Sequence, residues 1–193
     1  LLRLTPAHRF AALEFGARNP GDIRFLVEMA RPNVCGVLNV GSSHVGIFGS
    51  LAALREAKME MYRHAPAGAK LVAPVADEAI LACARETGKD LVTFGVSSSA
   101  AAVAVTSVQI GSGESQLEIS IAGQRHSVTV PVIHETMPIN CAAAAAFAHA
   151  AGITAEATLS EHVDAAWHRV IDVNLNGTYR MVRRVLPWMI GRG

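Results

Sequence analysis

Charge is scarce in this sequence and evenly split: 17 Lys and Arg face 16 Asp and Glu in 193 residues, a formal net charge of +1. A chain so balanced carries no basic field for nucleic acid and no acidic field for a cationic partner. Cysteine is nearly absent as well. Cys35, Cys83 and Cys141 lie far apart in apolar or alanine-rich surroundings, which excludes a disulfide framework and a Cys-x-x-Cys metal site and predicts reduced core thiols. No apolar run is long enough for a membrane helix. The richest, Ala142 to Ala151, is about half the length a span needs. The chain starts Leu1-Leu2-Arg3-Leu4, without an initiator Met, a basic segment before an apolar run, or a cleavage pattern. From this we expect a piece of a longer protein, in the cytoplasm, with no membrane partner.

What is present is apolar residue in quantity, 51% of the chain, enough for one well-buried domain with a small appendage. Strand-like and helix-like segments alternate, the pattern of a mainly parallel α/β sheet covered by helices. Phe10 to Phe15 reads as a short buried strand ending at Gly16. Pro20-Gly21-Asp22 opens a helix with Ile23, Leu26, Met29 and Ala30 on one side, and Pro32 closes it. Val34 to Val40 reads as a second buried strand, Gly41 to Ser50 as a Gly/Ser-rich loop, and Leu51 to about His64 as a helix. Leu71-Val72, a helix from about Asp77 to Thr87, and Leu91 to Phe94 repeat the theme. From Val103 to Val132 the period becomes two, with turns at Gly111-Ser112-Gly113 and Gly123, which predicts a small antiparallel excursion. A helix from about Asn140 to Ala151 stops at Gly152, where the main boundary is placed. The remainder, Thr158 to Gly193, reads as a helical tail with Thr158 and Glu161 in a capping-box pattern.

Three residues are out of place in these patterns. Glu14 is a carboxylate at the C-terminal end of an otherwise apolar strand, the edge where doubly wound sheets bind ligands; it either reaches solvent or a loop amide, or faces a ligand. His44 follows the next strand at the same topological place and is expected near Glu14, as a solvated loop residue or as a metal or phosphate contact. Lys58 shares helical spacing with Leu51, Leu54 and Met61, which places an ammonium in the apolar stripe. Such a lysine snorkels, pairs with a carboxylate, or is converted covalently into an anion.

The segments Leu1-Leu2-Arg3-Leu4, Ala12-Leu13-Glu14-Phe15-Gly16-Ala17-Arg18-Asn19-Pro20-Gly21-Asp22-Ile23 and Ala30-Arg31-Pro32 resemble the central domain of the Mur ligases. Leu38-Asn39-Val40-Gly41-Ser42-Ser43-His44-Val45-Gly46, Phe48-Gly49-Ser50 and Ala57-Lys58-Met59-Glu60 continue the resemblance in order and spacing, over residues 1–152. The similarity is to the branch that joins D-alanyl-D-alanine to a UDP-linked muramoyl tripeptide. It implies a fold like the P-loop NTPases, ATP and Mg2+ as cofactors, and a UDP-muramoyl peptide and D-alanyl-D-alanine as partners. It further implies that Glu14 and His44 hold magnesium, that Lys58 is carbamylated and both catalytic and metal-binding, and that Asn140 contacts adenine. The family reaction activates a carboxylate as an acyl phosphate, which an amine then attacks.

The departures are specific. The family's Gly-Lys-Ser/Thr phosphate loop would precede Leu1 and is not in this sequence, so weak nucleotide affinity is expected. An acidic residue of the family is here Ile47, its His-Asn pair reads Thr136-Met137, and its Asn-Ala-Asp-Asp stretch reads Ala73-Pro74-Val75-Ala76-Asp77. The tail, residues 153–193, is similar to another family. Trp167-His168-Arg169-Val170-Ile171-Asp172-Val173-Asn174-Leu175-Asn176-Gly177-Thr178-Tyr179 and Val185-Leu186-Pro187-Trp188-Met189-Ile190 resemble the central helix of short-chain dehydrogenases, with Asn174 at the active-site asparagine. Helical spacing equally makes Asn174 a polar member of a packed stripe. That family's Gly-rich loop and Tyr-x-x-x-Lys pair do not occur, so a nicotinamide cofactor ranks last. The expectation is an incomplete ligase, with a non-catalytic module or chimera as the alternative.

Overall fold

The computed structural model describes residues 10–40, 45–131 and 134–152. The chain divides into two units, each described by itself: Gly16–Thr154, and Leu1–Phe15 with Ala155–Gly193, of which only residues 10–15 are described. The expected helical tail, with Thr158, Glu161 and Asn174, lies outside the described residues, as does His44.

In Gly16–Thr154 the order is α1 (Asp22–Ala30), β1 (Val34–Gly36), α2 (Val45–Phe48), α3 (Leu51–Arg63), β2 (Lys70–Pro74), α4 (Glu78–Glu86), β3 (Leu91–Val96), β4 (Val103–Ile110), β5 (Ser115–Ile121), β6 (Gln124–Val130) and α5 (Met137–Ala150). The six strands form one sheet in sequence order. β1 to β4 pair in parallel, and β4, β5 and β6 pair antiparallel. The sheet is therefore the α/β, mainly parallel one expected, with its antiparallel excursion.

Alternate residues of the parallel strands build two layers. Cys35, Val37, Leu71 and Ala73 pack with Met59 and Tyr62 of α3 and with Ile80, Cys83 and Ala84 of α4. Gly36 faces the other way, against α5: a Cβ there would stand 2.4 Å from Cζ of Phe147 and 2.9 Å from the Val72 carbonyl oxygen. Only glycine allows that approach.

β3 and β4 run parallel although only residues 97–102 join them, where a parallel crossover usually takes a dozen or more. The register explains it. Pairing is confined to Phe94↔Val103, Gly95↔Ala104 and Val96↔Val105, the end of β3 beside the start of β4. The chain has only to step back by roughly 10 Å, the reach of three extended residues. The rest of β4 then overhangs the carboxyl edge of the parallel strands, and β5 and β6 follow it.

Several local expectations are corrected. Residues 10–15 form no strand; Phe10 is 54% exposed and Leu13 43% exposed. An apolar run becomes a strand only where a neighbouring strand takes its backbone bonds, and apolar composition alone does not supply one. On α1 the buried pair is Ile23 and Val27, one turn apart, while Met29 lies 57% exposed. β1 stops at Gly36, short of Val40, and α5 starts at Met137, before Asn140. Residues 45–48, read as loop, form α2.

Candidate functional site

The carboxyl ends of β1 and β2 open toward α3 and the start of α4. Ser50 caps α3: in extended backbone, φ −157°, its Oγ accepts the Ala53 N–H at 3.1 Å. Asp77 caps α4 through Ile80 N–H at 3.1 Å and meets Arg55 Nε of α3 at 3.4 Å. A concavity of about 560 Å3 beside this pair is lined by Arg55, Ala76, Asp77 and Glu78.

Lys58 lies on α3 between these points, half-buried. Leu51, expected in its stripe, is 42% exposed, and the fully buried residues of α3 are Leu54, Ala57, Met59 and Tyr62. Lys58 falls one turn from Leu54 on one side and Tyr62 on the other, within the buried stripe, while itself only half-buried. Its Nζ donates to the Asn39 carbonyl at 2.8 Å, and no carboxylate among the described residues pairs with it. Of the three options open in the sequence, the geometry is that of an ammonium snorkelling to a backbone oxygen. Loss of water holds its pKa below the ordinary lysine value, because burial penalises the charged form.

Two neighbours on α3, not singled out from the sequence, reach further. Glu60 accepts from Gly21 N–H at 2.7 Å and Arg24 N–H at 3.0 Å, so a carboxylate from α3 caps α1. Gly21, in the left-handed region at φ 91°, has no side chain to do so. Tyr62, wholly buried, accepts from Val37 N–H at 3.1 Å and donates to the Val72 carbonyl at 2.7 Å. Burial drives its phenol pKa well above the usual tyrosine range. The available signals were Glu60 within the Ala57-Lys58-Met59-Glu60 segment and Tyr62 one turn beyond Lys58.

Each of the other candidates has its own setting. Asn140 is exposed in the first turn of α5, its N–H donating to Thr136 O at 3.1 Å. Thr136 N–H in turn donates to His134 Nδ1 at 3.2 Å, which also meets Thr136 Oγ1 at 2.8 Å. Glu14 is exposed and belongs to the other unit. Among the described residues no group of three His, Cys, Asp or Glu could hold a metal ion. A larger concavity, about 680 Å3, is lined by Ser97, Ser98, Thr106 and Ser120 and by none of the residues singled out from the sequence. It holds no charged side chain, so chemistry points to the Lys58 region rather than to size.

Known proteins share this fold and stretches of this sequence. The family model of the Mur ligase middle domain covers residues 1–148. The chain belongs to the Mur ligase middle domain family. Over 66 residues it is 42% identical to the UDP-N-acetylmuramoyl-tripeptide--D-alanyl-D-alanine ligase of Synechocystis sp., covering 34% of this chain and 14% of that protein. Over 92 residues it is 36% identical to the enzyme of that name from Mycobacterium tuberculosis strain H37Rv, 48% of this chain and 18% of that one. A crystal structure of MurF from Acinetobacter baumannii superposes with a TM-score of 0.72 at 28% identity, over 79% of this chain and 33% of that chain. MurF from Thermotoga maritima, solved in complex with ADP, shares the fold with a TM-score of 0.65 at 24% identity, over 72% of this chain and 32% of that one. The Mur ligase middle-domain segment found here thus matches only a minor part of these relatives' length. A second family model, short chain dehydrogenase, matches residues 132–193, less than half of the chain.

Proposed function

We propose that this chain is the nucleotide- and metal-facing part of an ATP-dependent ligase that activates the carboxylate of a UDP-muramoyl tripeptide as an acyl phosphate and joins it to D-alanyl-D-alanine. The observation that carries the reading is Lys58: half-buried, lowered in pKa, and held by Asn39 O at the exit of β1. The unprotonated amine is the form that reacts with carbon dioxide, and a lowered pKa raises its share. The Nζ lone pair bonds to the carbon, one carbonyl bond opens to an oxygen anion, and the nitrogen releases a proton to water. The product is a carbamate, a hard oxygen ligand where an ammonium stood.

As an ammonium, Lys58 does not fit a metal. As a carbamate it would offer oxygen to Mg2+, and the family resemblance gives Glu14 and His44 magnesium-holding roles as well; the ion, when bound, would neutralise phosphate charge during transfer. Asn140, exposed at the start of α5, would contact the adenine. The relatives' names and the ADP held by the Thermotoga maritima protein support this cofactor choice, and a cytoplasmic setting accompanies it. Isothermal calorimetry with Mg-ATP on the purified chain is the test: heat that disappears in Lys58→Met is expected, and no heat at millimolar nucleotide would reject nucleotide binding by this chain.

We also propose that the chain is a mosaic whose junction lies near Gly152, with residues 153–193 derived from a dehydrogenase-like segment. The match of residues 132–193 to the short chain dehydrogenase model favours this. NAD(P) should leave the melting temperature unchanged; an upward shift would make the tail a cofactor site.

A further inference from the structure

The β1–β2 ladder ends at the rung Gly36↔Val72, while β2 continues to Pro74 beside β3 alone. The Tyr62 hydroxyl stands at that parting point, taking the Val37 N–H and giving its own proton to the Val72 carbonyl. Beyond it, residues 37–40 belong to no strand. Both anchors of this exit segment come from one helix: Tyr62 holds Val37, and Lys58 Nζ holds the Asn39 carbonyl.

The spacings match. Lys58 and Tyr62 are one turn apart on α3, roughly 6 Å along its axis. Val37 and Asn39 are two residues apart, a span of at most roughly 6.6 Å when the chain is extended. A tyrosine buried only for packing needs one partner for its hydroxyl; this one satisfies a donor just past the end of β1 and an acceptor on β2, at the place where the two separate.

We propose that Tyr62 is a positioning residue for Lys58, the two forming a two-point clamp that fixes the β1 exit segment and so sets where the Lys58 nitrogen sits. The inference rests on the reading that Lys58 carries chemistry. Glu60, between the two clamp residues in sequence, serves another element, α1, and supplies an internal control.

The test is Tyr62→Phe in the full chain, labelled with 15N and followed by NMR at low temperature. The sequence has three lysines, Lys58, Lys70 and Lys89, and Lys58→Arg assigns the ammonium signal of interest. A hydrogen-bonded ammonium exchanges slowly enough to give a sharp nitrogen–proton correlation. In Tyr62→Phe this signal should broaden or vanish, and the Val37 to Val40 amides should exchange about tenfold faster, as expected for the loss of one hydrogen bond, while β3 is unaffected. Glu60→Gln should leave the Lys58 signal in place. A lower melting temperature with an unchanged Lys58 signal would reduce Tyr62 to a packing residue and overturn the proposal. Should Tyr62→Phe not fold, Lys58→Met decides: faster exchange at Val40 with Val37 still protected supports the clamp, and unchanged exchange at both overturns it. Absence of Mg-ATP binding would sink the ligase reading and leave this result standing.

Discussion

The parallel strands and the antiparallel ribbon of one continuous sheet solve burial differently. Leu71, Val72 and Ala73 of β2 are completely buried in a row, because α3 and α4 cover one face and α5 the other. Along β5 burial alternates, Ser115, Leu117 and Ile119 inward and Gln116 exposed, and the ribbon tip leaves Ile110 64% exposed. The half covered on both faces also holds Lys58, Tyr62, Glu60 and Asp77. Side chains of α3 and α4 can bridge strand exits only where helices lie over strand ends. Among the described residues no such helix lies over the ribbon tip, and none of the sequence-derived candidates falls in the ribbon.

The largest effect should come from filling the closest approach in the parallel half. Gly36→Val must push Phe147 and the Val72 carbonyl apart, and overpacking of this kind costs about 3 kcal/mol. Gly113→Ala, at the ribbon tip with nothing within 4 Å of a new Cβ, should stay within about 0.5 kcal/mol. Urea unfolding of the two variants measures the contrast; equal losses would mean that the ribbon is packed as tightly as the parallel half.

A carboxylate in each region sharpens the same contrast. Glu60→Ala removes both acceptors at the α1 N-terminus, leaving the Gly21 and Arg24 amides without them, and should cost about 1–2 kcal/mol. Glu118→Ala on β5, whose backbone rather than side chain accepts from Thr106 Oγ1, should cost about 0.5 kcal/mol or less. A Glu118 loss matching that of Glu60 would break the distinction.

Thiols give the comparison a pH dependence. Burial pushes Cys35 and Cys141 up from 9.0 to about 11, and Cys83 in the same direction; the ribbon contains no cysteine. For an acid whose folded pKa is raised, the folded state keeps its proton where the unfolded chain has lost it. The stabilisation is complete below pH 9 and is lost as pH rises toward 11. Urea midpoints measured across that window should fall, and Cys141→Ala should flatten the fall whatever it does to the midpoint at pH 8. An unchanged slope would mean that the thiols are not shielded in the folded chain.

Much of the fold was legible because apolar residues repeat with the period of their element. The period-two stretch from Val103 named the ribbon, and the helices read from Leu51 and from about Asp77 start where the structure places their caps, Ser50 and Asp77. Faces were harder to read. Met29 has the right spacing for burial on α1, yet α3 takes the Ile23 and Val27 side, and a sequence does not state where the neighbour stands. The run from Phe10 is apolar enough for a strand, but strand formation depends on a partner elsewhere in the chain. In the site, Lys58 could be read as displaced from the surface pattern. Tyr62 and Glu60 could not, since a tyrosine in a helix is ordinary core and the amides Glu60 accepts from lie 36 and 39 residues away.

The smallest expected effect is at the solvated face of α1. Arg24 Nε meets Glu28 Oε1 at 2.8 Å, with the two side chains 58% and 52% exposed. The arginine pKa is raised, first by that hydrogen bond, which shows attraction but not net stability. Two opposing terms act. The order, cation before anion at i and i+4, is the weaker one on a helix, and Glu28 sits near the negative C-terminal end of α1. Water and salt screen what remains, with a Debye length of about 8 Å at physiological ionic strength. Glu28→Gln should therefore leave the urea midpoint unchanged within error, and raising salt should not separate variant from parent. His64 Nδ1 stands 3.9 Å from the same Glu28 oxygen, too far for a hydrogen bond, and should not change this outcome. A loss at pH 7 as large as that of Glu60→Ala would show that both carboxylates serve α1 alike, and that capping by α3 is not what separates the parallel half from the ribbon.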